Sequence, residues 1–209
     1  MYTVRHHLQN GPGSGDYTLK ATYYYFGAEN SLCDAPTKSF IGYVTPASQR
    51  VYVYPETENA LDYYYDRANY LLTLYSDEYV NVHSQSTHAY GALIPSQESP
   101  HRTGYTFGGW EPALPATMPA APVTAKAKWT PRTYTISLSA PNATTDGSSS
   151  ATVDYDATHT STIMNPRLTG HRFTGWYTGA GVLLIDAYGN FCPSSDTGLY
   201  FRSENGTTR

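Results

Sequence analysis

The stretch TGYTFGGW, Thr103–Trp110, returns in the same chain as TGHRFTGW, Thr169–Trp176. Each copy has Thr-Gly, then a ring, then Phe two residues on, and Gly-Trp at its end. A catalytic site is usually built once, whereas a unit that stacks on its own kind is written several times. The repeat therefore constrains the fold to a series of small, similar units. It also steers the search for function away from a single reaction centre.

Aligning the chain on this motif yields three segments, 1–67, 68–130 and 131–209. In the second, alternation predicts a strand at Tyr70–Tyr75, a turn at Asp77 and a second strand around Val80–His88. AYGALIP and the motif follow, and VTAKAKW closes the segment. In that last strand Val123, Ala125, Ala127 and Trp129 face one way, and Thr124, Lys126 and Lys128 face water. The third segment repeats the order with TYTISLSA, a polar turn, ATVDYDATHTS and the second motif copy. A bend at Gly189-Asn190 follows, and a closing strand is expected at Leu199–Arg202. The first segment is a more distant version, with strands YTVRHHLQ, YTLKATYYYFG, RVYVYPE and ALDYYYDR; APTKSFIGYVTPAS stands where the motif stands elsewhere. The linkers DRAN and WTPR are short, which implies a stiff, elongated array of modules rather than beads on a string.

Composition agrees. Tyr occurs 21 times, and Tyr, Thr and Val suit half-exposed pleated strands, so the class is mostly β. Modules of this size have marginal cores, and large rings supply the buried area. Phe107, Trp110, Trp129, Phe173 and Trp176 are accordingly assigned to structural cores. The Gly before the first ring of each motif permits a turn with positive φ. EPALPATMPAAP cannot form a regular helix and is read as an extended crossover.

The residues Tyr90-Gly91, TGYTFGGW and AKAKW, in that order, resemble the Listeria–Bacteroides repeat, also called the internalin B-repeat; so does the third segment, through its opening and TGHRFTGW. The first segment, with YTVRHHLQ, GDYTL, FIGYVTPAS and ALDYYYDR, is similar to a mucin-binding-protein (MucBP-like) repeat. These resemblances imply three tandem β-grasp, ubiquitin-like modules of a secreted bacterial surface protein, and no enzyme. Any export signal or wall anchor is expected outside this sequence.

A net charge of −4 gives no basic footprint for phosphates, so nucleic acid is not an expected partner. No apolar run reaches the eighteen residues of a membrane span. His6 and His7 are adjacent on a strand and point to opposite faces, so they do not chelate together. His83 and His88 have poor metal spacing, and neither HExxH nor CxxC occurs. GPGSG has Pro12 where a nucleophile elbow needs Gly. Asp154 and Asp156 share a strand face, which is read as solvated rather than cation-binding. Cys33 and Cys192 are read as separate thiols. No metal, cofactor or catalytic residue is assigned, and the chain is expected to be a monomer.

Two readings of function remain. In one, the modules form a stalk that projects something else from a cell surface. In the other, exposed rings of the first segment, Tyr24, Tyr52, Tyr54 and Tyr64, bind a host glycoprotein, mucin or immunoglobulin. Rings packed into neighbours favour the stalk, and rings on an uncovered sheet face favour binding. An edge strand also offers a partner a place to add.

Overall fold

The computed structural model describes residues 1–145, 147–157, 163–190 and 192. Its described residues are all-β, with several small sheets and no helix. They form two compact units, Met1–Glu98 with Trp110–Ala127, and Ser99–Gly109 with Lys128–Arg209.

The first segment starts with β1 (Tyr2–Gln9) and β2 (Tyr17–Tyr25), joined by the Gly-rich turn and paired antiparallel from Tyr2↔Tyr25. β3 (Ser31–Ala35) and β4 (Gln49–Val53) pair with each other as a second sheet. β5 (Ala60–Tyr65) returns parallel to β1, so the main sheet has the order β2-β1-β5. Strand alternation sends Tyr2, Val4, His6, Tyr63 and Tyr65 inward, where Ala35, Val51 and Val53 of the second sheet meet them. The buried tyrosines explain why Tyr outnumbers Phe here. The Tyr2 hydroxyl donates to the Asp34 carbonyl at 2.6 Å, and that of Tyr63 donates to the Ala35 carbonyl at 2.6 Å while accepting from the Gln49 amide. Each ring fills the core while its phenol end satisfies backbone groups of the opposing sheet.

His6 is the unexpected member of this core. It is fully buried, stacks on Tyr63 at 5.6 Å and meets Tyr65 Oη with Nδ1 at 2.7 Å. Tyr65 Oη also accepts from the Lys38 amide at 3.0 Å, which leaves its own proton available to His6 Nδ1. His7 turns to the other face, as the alternation requires, and contacts Asp62.

The second segment has β6 (Asn69–Tyr75), β7 (Val82–Ala89), β8 (Tyr105–Glu111) and β9 (Val123–Pro131) in one sheet of order β7-β6-β9-β8. The β6–β7 turn is held by Asp77 Oδ1, which accepts from the Val80 and Asn81 amides at 3.0 and 2.9 Å. β9 runs parallel to β6, as β5 does to β1. Leu72, Leu74 and Ala125 form the core, with Trp110, Ile94, Leu114 and Val123 packed on it. In the third segment β10 (Thr133–Ser137) pairs with β11 (Ser150–Asp154), and β12 (Gly175–Tyr177) pairs with β13 (Leu183–Asp186). Ile136, Val153, Trp176, Leu184 and Ile185 are its core. The closing strand expected at 199–202 lies outside the described residues. Each segment thus carries its own hydrophobic cluster. The β-grasp expectation meets a coarser finding, small all-strand sheets with no helix among the described residues.

A repeated clasp accompanies the repeated motif. Phe40–Tyr43 is a turn in which the Tyr43 amide donates to the Phe40 carbonyl at 3.1 Å, with Gly42 third at φ 84°. The ring of Tyr90 lies on that glycine so closely that a Cβ there would stand 2.3 Å from it. The Gly42 carbonyl accepts from the Ala68 amide at 2.8 Å, and the Ala68 carbonyl accepts from Tyr90 at 2.8 Å. In the second unit Arg102–Tyr105 makes the same turn, with Gly104 at φ 78° and the ring of Tyr155 2.3 Å from a Cβ built on it. Here the Arg132 amide donates to the Gly104 carbonyl at 2.8 Å, and the Tyr155 amide to the Arg132 carbonyl at 2.9 Å. Only glycine accepts both the positive φ and the ring.

Separate cores should fail separately. Trp176 is only 7% exposed, and Trp176→Ala should cost about 3–5 kcal/mol. Half-buried Trp110 should cost less. In both variants the amide spectrum of Val4 and Tyr63 should stay native; loss of those signals would show one shared core. Acid gives a second test. Burial holds the His6 pKa below its ordinary 6.5, with the Lys38 and His7 charges adding to it. The unfolded chain therefore takes up a proton as pH falls through about 6.5 while the folded chain does not, so stability falls on acidification in that window. His6→Phe should flatten the decline of Tm between about pH 6.5 and pH 5. An unchanged slope would contradict the assignment.

Candidate functional site

The four tyrosines singled out for binding are all exposed, but they divide between two sheets. Tyr24 and Tyr64 lie on the outer face of β2-β1-β5. On that face the register places Tyr24 beside Thr3, Thr22 and Asp62 beside Arg5, and Leu19 and Tyr64 beside His7. Tyr52 lies on β4 and Tyr54 just after it, their rings 4.5 Å apart.

The outer face of the three-stranded sheet has an ordered centre. Arg5 makes a two-pronged pair with Asp62, Nε to Oδ1 and Nη2 to Oδ2, both at 2.9 Å. His7 Nε2 reaches the same Oδ1 at 2.6 Å. Partial burial pushes the Asp62 pKa up, but the hydrogen bonds from Arg5 and His7 outweigh it and hold the carboxyl below its ordinary value. Tyr64 stacks on the His7 ring at 5.0 Å and takes the edge of Tyr17 at 5.1 Å. Tyr17 in turn donates its hydroxyl to Asp66. Charge and ring are therefore held together on one exposed face. The exposed Leu19 adds an apolar contact.

The assigned core rings take different positions. Trp176 is buried with Phe173 packed at 5.3 Å. Trp110 is half-buried on the Leu72–Leu74–Ala125 cluster, with the His83 ring 5.7 Å away. Phe107 and Trp129, also half-buried, meet edge to face at 5.8 Å. A cleft of about 660 Å³ in the third segment is lined by Leu138, Pro141, Leu168, Phe173, Trp176 and Leu184 among others.

Groups weighed for chemistry have structural partners. Asp154 accepts from Thr133 Oγ1 at 2.5 Å, and Asp156 from Tyr105 Oη at 2.8 Å. Cys33 and Cys192 are free thiols. Among the described residues no group of three His, Cys, Asp or Glu is placed to hold a metal ion, and no helix is long and apolar enough to cross a membrane.

Sequence reasoning passed over Arg67, which it placed in a linker. Its Nη1 donates to the Tyr90 carbonyl at 2.8 Å and its Nη2 to the Asn10 carbonyl at 2.9 Å. Its guanidinium also lies over the rings of Tyr43 and Tyr90, at 5.6 and 5.4 Å. Pro131 holds the corresponding place at the second clasp, so nothing in the repeat pattern marked the arginine.

Comparison with known proteins fits this repeated architecture. The family model of the Listeria-Bacteroides repeat domain matches residues 73–124 and 134–200, more than half of the chain. Residues 1–67 lie outside both matches. No curated protein matches the chain. The chain belongs to the Listeria-Bacteroides repeat family, which is typical of bacterial surface proteins.

Proposed function

We propose that this chain is a non-catalytic repeat region of a bacterial surface protein, a stiff stalk that holds another part of its parent away from the cell. One observation carries the reading: each segment has its own core, and the same glycine–tyrosine clasp occurs twice where one segment gives way to the next. A spacer needs units that repeat, joints that resist bending and no reaction centre. Ring-on-glycine joints resist bending because the turn has a fixed backbone and the ring has no second place to go.

A second reading has its own observation. The outer face of β2-β1-β5 carries exposed Tyr24, Tyr64 and Leu19 around the Arg5–Asp62–His7 network. Such a face suits a host glycoprotein, a mucin or an immunoglobulin, and the resemblance of residues 1–67 to a MucBP-like repeat, read from sequence alone, favours the same partners. Rings with few torsions to freeze give affinity that survives high salt.

Two measurements separate the readings. Small-angle scattering of the whole chain should give an elongated particle, and a compact globule would sink the stalk. The immobilised chain should retain no component of serum or mucus. Retention that Tyr24→Ser/Tyr64→Ser weakens at least tenfold, at unchanged Tm, would instead establish the binding face.

A further inference from the structure

Arg67 stands where the first segment passes into the second, and it reaches into both. Its backbone pairs with Tyr43 as an antiparallel bridge, and its amide donates to Gln9 Oε1 at 2.9 Å, so the residue is anchored on the first segment. From that anchor the guanidinium spans the join. Nη2 donates at 2.9 Å to the carbonyl of Asn10, directly after β1, and Nη1 at 2.8 Å to that of Tyr90, directly after β7. The two rings that it covers divide in the same way, Tyr43 from the first segment at 5.6 Å and Tyr90 from the second at 5.4 Å. Those rings meet each other edge to face at 5.9 Å.

The second segment is shaped to receive this side chain. Gly91 has φ 77°, and a Cβ built there would stand 2.5 Å from Arg67 Nη1. The glycine of Tyr90-Gly91 therefore serves the approach of the guanidinium as well as a left-handed turn. Arg67 Nε is buried and makes no hydrogen bond among the described residues. Burying a cation with one N–H unmatched costs stability, so its other contacts must offset that cost. They do so in a way that lysine cannot copy. A planar fork holds two carbonyls in fixed directions while its face covers two rings.

We propose that Arg67 is the locking residue of this join, so that the first and second segments turn as one rigid body. Ring and glycine supply the shape of the clasp, and the arginine holds it shut from both sides. The inference concerns the join itself and holds whether the array is a spacer or a receptor.

The test uses the intact, isotope-labelled chain, weakly aligned. Residual dipolar couplings from β1, β2 and β5 and from β6 and β7 should fit a single alignment tensor. In Arg67→Ala and in Arg67→Lys each segment should keep its native amide spectrum, but the two should require tensors of different magnitude. The Ala68 amide donates across the join to the Gly42 carbonyl at 2.8 Å, and its exchange protection should fall about tenfold or more in Arg67→Ala. Protection of Val4 and Leu74, in the two cores, should not change. Arg67→Lys keeps the stem and the charge, so it decides the matter if the alanine variant does not fold. Three results would overturn the proposal: two tensors in the native chain, a single tensor in Arg67→Lys, or loss of either segment's native spectrum in Arg67→Lys. The last would assign the residue to a core rather than to the join.

Discussion

An aromatic ring laid on a turn glycine marks the place where one repeat continues into the next. Among the described residues each segment closes its own small core. Where segments meet stands the clasp, which combines a left-handed glycine, a ring packed on it and two backbone hydrogen bonds, one of which crosses the join. The joins share backbone geometry but differ in their cations. Arg67 ties the first through two carbonyls and two rings, whereas at the second Arg102 stands 4.0 Å over Tyr105. The geometry is therefore the conserved element within this chain, and the polar dressing is local.

Tyrosine does two jobs in the first segment, and its neighbours decide which. Tyr63 and Tyr65 alternate with Tyr64 along β5. The two inward rings fill the core and spend their hydroxyls on Gln49, Ala35, Lys38 and His6. The outward ring stacks on His7 above a charged network. A core of phenols has an advantage over a core of phenylalanines in so thin a module. Strand ends lie close to the core, and their backbone groups need partners that water does not reach.

Much of this was legible in the chain. Alternation located β6 and β9, and the repeated order located β10; along β5 the same period of two sets Tyr63 and Tyr65 on one side and Tyr64 on the other. Thr-Gly-ring marked the turns, because a positive φ leaves its signature in the residue that adopts it. Other features had no local signature. β3, Ser31–Ala35, forms because β4 pairs with it, and SLCDA by itself has little strand character. β8 runs through Gly108 and Gly109 from Tyr105 to Glu111, with Gly109 at φ 103°, and pairing of distant strands rather than a local pattern keeps those glycines in the sheet. Alternation put His6 and His7 on opposite faces but did not say that His6 is the buried one, which depends on Tyr65 from a distant strand meeting its ring. The division of the four exposed tyrosines between two sheets was likewise hidden, since pairing of distant strands sets it.

Two glycines of this chain provide a matched comparison for the clasp. Gly104 and Gly170 hold the same place in the same turn, at φ 78° and 74°, but among the described residues a ring packs on Gly104 and none on Gly170. Alanine at either position bears the same backbone strain, about 1–2 kcal/mol for a left-handed residue. Only at Gly104 does the new methyl also displace Tyr155. The most direct measurement is the loss of unfolding free energy in Gly104→Ala and Gly170→Ala, each determined on the dilute, intact chain. The clasp account predicts a clearly larger loss at Gly104. Equal losses would mean that the turn alone matters and that the ring adds nothing to the join.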